Sequence, residues 1–98
     1  MNKELIVTTI KANRSLLEQF SVKSISVFGS VMRDEARPGG DVDLLVEFDP
    51  DASIGLFEFV RLKNELSRLL GIPVDLVTPD ALHPALKDEI LREAHHVA

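Results

Sequence analysis

Apolar residues recur along this chain with two different periods, and the period changes at glycines and prolines. Between Lys3 and Phe20, Leu5, Ile6, Ile10, Leu16, Leu17 and Phe20 fall mostly three or four residues apart, the spacing that gathers side chains on one face of a helix. A single amphipathic helix is predicted there. Val22 to Phe28, "VKSISVF", is short and rich in β-formers, with Ile25 and Val27 alternating against small polar residues until Gly29; it predicts a strand. "SVMRDEA" allows a helical turn or two before "RPGG" stops it. From Asp41 to Phe48 the alternation is clean. Val42, Leu44, Val46 and Phe48 face one way, and Asp41, Asp43, Leu45 and Glu47 the other.

After the polar turn "DPDAS", Ile54 to Leu70 carries Leu56, Phe59, Val60, Leu66, Leu69 and Leu70 at helical spacing and ends at Gly71, a residue suited to capping a helix C-terminus. Pro73 to Thr78, "PVDLVT", predicts a third strand, with Asp75 pointing opposite to Val74 and Leu76. Pro84 suits the first turn of a last helix anchored by Leu86, Ile90, Leu91 and Ala94, after which "HHVA" is expected to fray. The sum is an α/β fold, one domain over residues 1–98, with a small three-stranded mixed sheet flanked by helices. No repeat, low-complexity segment or linker interrupts it.

Composition narrows the possibilities. Hydrophobic content of 45% and charged content of 28% belong to a folded globular chain. The absence of cysteine excludes a disulfide framework, a thiolate nucleophile and a Cys-ligated zinc site. Lys11 and Arg14 break the only N-terminal apolar run, so neither a signal peptide nor a membrane span is expected and a cytoplasmic location is. A net charge of −5 argues against gripping long nucleic acid through many phosphates. It permits a small anionic substrate if metal ions stand between carboxylates and phosphates.

Three aspartates therefore stand out, because carboxylates among strand residues are costly unless paired, hydrated or bound to a cation. Asp41 and Asp43 sit two residues apart on one face of a strand, and a strand brought alongside by the intervening helix would add Asp75. Such a set can hold two magnesium ions for phosphoryl chemistry. Gly29 would let the backbone approach a ligand, and Ser30 with the amides after it could donate to phosphate oxygens. Arg33 reads either as a further phosphate contact or as a solvated surface residue beside Asp34 and Glu35. Other constellations fail: "DPDASIGLFEFV" has Ile54 and Val60 where a calcium loop needs glycine and a bidentate glutamate, and neither a P-loop nor a dinucleotide-binding glycine pattern occurs. His95 and His96 lack a third ligand, His83 reads as a turn residue, and the five phenylalanines are assigned largely to the core.

"FGSVMRDEARPGGDVDLLVEF" followed by "GIPVDLVTPD" resembles the minimal nucleotidyltransferases, or MNT domains, of the DNA polymerase β superfamily, over essentially the whole chain. The resemblance implies the nucleotidyltransferase fold, a triphosphate held at Gly29 and Ser30, magnesium at Asp41 and Asp43, and Asp75 completing the site. It also implies an antitoxin beside a HEPN ribonuclease, in some members by transferring AMP from ATP to a tyrosine of that toxin. Two positions depart from the pattern: Gly40 stands where a serine is common, and Asp34 where a glycine is. The first removes no metal ligand, and Asp34 is expected to face solvent. Because the chain has no tyrosine, a tyrosine acceptor must lie on a partner. The expectation is Mg²⁺-dependent transfer of AMP from ATP to a protein hydroxyl, with a homo- or hetero-oligomer possible. The alternatives are a non-catalytic antitoxin that neutralises its partner by binding, and transfer to a small molecule.

Overall fold

The computed structural model describes residues 3–29 and 42–98. It contains helices α1 (Lys3–Ala12), α2 (Arg14–Gln19), α3 (Leu56–Leu70) and α4 (Pro84–Glu93), and strands β1 (Val22–Phe28), β2 (Val42–Phe48), β3 (Val74–Val77) and β4 (His95–His96). A short 3-10 turn, Pro79–Ala81, links β3 to α4. The predicted short helix after Gly29 lies outside the described residues.

The sheet order is β3-β2-β1-β4, with β2 and β3 parallel and the other two pairs antiparallel. The mixed sheet thus has four strands instead of three. The additional strand comes from the segment expected to fray. His96 pairs with Ser26 and His95 with Val27, while Val97 donates its N–H to the Ile25 carbonyl at 2.9 Å and Ile25 donates to the Ala98 carbonyl at 2.9 Å. Val97 is only 3% exposed, so this tail is core.

Alternation along the strands puts Ile25, Val27, Val42, Leu44, Val46, Val74 and Leu76 on one face, where they meet Ile6 and Ile10 of α1, Leu17 of α2, and Leu62, Leu66 and Leu70 of α3. Of the second face, Leu45 is buried as well.

The predicted first helix is two. Asn13 separates them, its Nδ2 donating to the Thr9 carbonyl at 2.8 Å; a short amide side chain that bonds local backbone competes with helix continuation. In α3 the buried stripe is Leu62, Leu66 and Leu70, whereas Leu56, Phe57 and Val60 are exposed. α4 buries none of its side chains: Leu86 and Leu91, expected as anchors, are exposed. What fixes α4 is its start, where Pro84 follows His83 and the His83 Nδ1 accepts the Ala85 N–H at 3.1 Å.

Candidate active site

The end of the sheet where β2 and β3 begin carries the site. Gly71 caps α3 in the left-handed region, with φ of 72° and its N–H donating to the Ser67 carbonyl at 2.9 Å. Ser67 then ties helix to strand: its hydroxyl donates to the Lys63 carbonyl at 2.9 Å and accepts the Val74 N–H at 3.0 Å. Next to it the Val42 N–H donates to the Pro73 carbonyl at 3.0 Å, which locks the starts of β2 and β3 together.

This pinning sets the register in which Val42 pairs with Val74 and Asp43 with Asp75. Parallel partners share a face, so both carboxylates project from the side opposite Val42 and Val74, on strands about 4.8 Å apart. Asp43 is half-buried and Asp75 exposed. On its other side Asp43 pairs with Phe28, the last residue of β1. Gly29 follows with φ of 77°, and the chain passes so close to the Asp43 carboxylate that a Cβ on Gly29 would lie 2.2 Å from Asp43 Oδ2. Only glycine fits there. The close approach of backbone at Gly29 is made here to the Asp43 carboxylate, where the sequence predicts one toward a ligand.

Of the six predicted site residues, the structure places Gly29, Asp43 and Asp75 together. Ser30, Arg33 and Asp41 lie outside the described residues, as do Asp34 and Gly40. Among the described residues no group of three acidic or histidine side chains is poised around one ion; Asp43 and Asp75 are two hard oxygen donors on one face beside a glycine-walled approach, a donor set that suits magnesium. Sequence reasoning did not single out Ser67, whose signal was a polar residue on the buried side of α3 one turn before its cap. A cleft of about 240 Å³ also opens at Gly29, between Phe28 and Leu86, Glu89, Ile90 and Glu93 of α4.

Residues 9–96 match the nucleotidyltransferase domain family. A Methanocaldococcus jannaschii protein, provisionally named a protein adenylyltransferase, is 47% identical over 79 residues, 81% of this chain and 83% of its own. The protein adenylyltransferase MntA of Thermococcus cleftensis is 42% identical over 94 residues, 96% of this chain and 91% of its own. A solved structure provisionally described as a minimal nucleotidyltransferase superposes with a TM-score of 0.79 at 40% identity, covering 96% of this chain and 94% of that one. A Shewanella oneidensis complex of a tri-AMPylated HEPN toxin with its MNT antitoxin shares the fold, with a TM-score of 0.66 at 18% identity over 95% of this chain and 71% of that one.

Proposed function

Because the chain belongs to the nucleotidyltransferase domain family, we propose that it transfers AMP from ATP to a hydroxyl of a HEPN-type ribonuclease toxin and thereby acts as its antitoxin. The observation that carries this reading is the Asp43–Asp75 pair, in register and facing one way beside the close approach of Gly29. The adenylyltransferase names of the relatives support the nucleotide, and the complex of an AMPylated HEPN toxin with an MNT antitoxin supports the partner class.

Each residue has a distinct task in this reaction. The backbone at Gly29 and the Ser30 hydroxyl hold the β- and γ-phosphates, with Arg33 adding a guanidinium contact. Asp41, Asp43 and Asp75 would hold magnesium, which would supply positive charge for the triphosphate and lower the pKa of the attacking hydroxyl. Asp75, on the edge strand and exposed, lies on the side open to an acceptor. The acceptor oxygen bonds to the α-phosphorus, the bond from that phosphorus to pyrophosphate breaks, and the hydroxyl proton is lost to solvent. With no tyrosine in the chain, a tyrosine acceptor belongs to the toxin.

The test is the intact mass of the HEPN partner after incubation with this protein, ATP and Mg²⁺. A gain of one or more AMP units is expected, lost on chelation and reduced at least ~100-fold by Asp43→Asn, whose fold should be intact. Undiminished transfer by that variant would sink the metal assignment. A stable complex with no gain in mass would mean neutralisation by occlusion.

A further inference from the structure

We propose that the first turn of α3 is a docking surface for the partner protein, and that it takes an apolar socket rimmed by lysine and arginine. The proposal rests on the reading of a HEPN-type partner and assigns the place where that partner is anchored. Leu56 is 78% exposed, Phe57 85% and Val60 42%; Phe57 and Val60 lie on the side of α3 away from Leu62 and Leu66, and Leu56 is exposed at the start of the helix. A large aromatic and two aliphatics exposed close together leave apolar surface in water, a cost that covering by a partner removes.

The turn is held rigidly. Phe59 packs edge-on against Phe48 with ring centroids 6.4 Å apart, and the Gly55 N–H donates to Glu58 Oε2 at 3.0 Å. A helical turn whose backbone is already ordered loses little backbone entropy on binding.

The chemistry of the socket follows from the charges around it. Glu47 is the next-to-last residue of β2, Asp49 and Asp51 follow it, Glu58 lies in the first turn of α3, and Asp80 lies in the turn after β3, all at the same end of the sheet. A groove of about 360 Å³ between Glu47, Phe48, Thr78, Pro79 and Asp80 opens at this end. Of the nearby cations, Arg61 lies over the Phe20 ring, 5.9 Å from its centroid, and so points toward the end of α2. Lys23, at the start of β1, lies at this same end, where Val22 pairs with Phe48, so the rim carries two cations, Lys23 and Arg61, and remains acidic in sum. A second copy docking about a two-fold axis would bring this acidic rim against itself; a basic surface complements it.

The end of β2 at Phe48 lies about 16 Å along the strand from Asp43, five residues at about 3.3 Å each. Anchoring there leaves the reacting groups open, so loss of the anchor should raise KM for the partner and leave kcat unchanged.

The experiment uses the full chain and a HEPN-domain protein of the same organism. Leu56→Asp/Phe57→Asp should weaken binding at least ~100-fold, as loss of two central anchors does, while the melting temperature holds. Leu56→Ser/Phe57→Ser serves if the first variant folds poorly, and Leu91→Asp on α4 should bind normally. Wild-type affinity in both α3 variants would overturn the proposal. So would wild-type self-association abolished by Phe57→Asp, which makes a second copy the occupant. Failure of the wild-type chain to bind the HEPN protein would instead remove the partner, and the proposed function with it.

Discussion

Gly29→Ala probes the site through the backbone. Two costs are built into that position. At φ of 77°, an alanine pays about 1–2 kcal/mol for left-handed backbone. Its Cβ would also lie 2.2 Å from Asp43 Oδ2, 3.1 Å from Cγ and 3.3 Å from Cβ. Rotating the carboxylate relieves only the first contact, so the Asp43 side chain must leave its rotamer and shift, at about 1 kcal/mol more. The total, roughly 2–3 kcal/mol, corresponds to a fall in melting temperature of about 8–24 °C for a domain this size. The informative assay is a cycle of thermal melts on wild type, Gly29→Ala, Asp43→Ala and the double variant. The contact share should vanish without the carboxylate, so Gly29→Ala should cost about 1 kcal/mol less in the Asp43→Ala background. Transfer by Gly29→Ala should fall about 100-fold, since a displacement near 1 Å at a reacting group has that effect. Equal costs in both backgrounds would refute the claim that Gly29 is required by its approach to Asp43.

Two further substitutions test how the site is held. Ser67→Ala removes the hydroxyl that joins α3 to the start of β3; it should cost about 1 kcal/mol, and hydrogen exchange at the Val74 amide should accelerate. Val97→Ala should cost about 2 kcal/mol in a denaturant melt, from lost burial plus a residual cavity. A neutral result there would show that the C-terminal segment is not part of the core.

What the sequence disclosed depended on whether periodicity had room to act. β1, β2 and α3 are long enough for alternation or helical spacing to show, and Asp43 and Asp75 could be placed on one sheet face from strand phase alone. The break at Asn13 was invisible to the same signal, because Ile6, Ile10 and Leu17 keep one helical phase through it. β4 has two residues, both exposed histidines, too few to show alternation; backbone hydrogen bonds and Val97 hold it. α3 misled for the opposite reason, since its first turn carries apolar residues on two sides. Phe59 serves the core, whereas Leu56, Phe57 and Val60, among them one of the phenylalanines expected inside, do not. Nor could the contact between Gly29 and Asp43 be read in advance, because it depends on the β1–β2 register.

β3 is an edge of the sheet, and an open edge offers unpaired N–H and C=O groups on which another chain can build. This edge is four residues long, with Pro73 just before it and Pro79 soon after, and a charged side chain at Asp75. A stray strand laid against β3 would find little ladder and would bring its own side chains beside an anionic one. The same aspartate thus acts as a gatekeeper against aggregation. Neutralising it would leave the protein more prone to fibril-like association, especially on warming, and would couple loss of the proposed chemistry to loss of solubility.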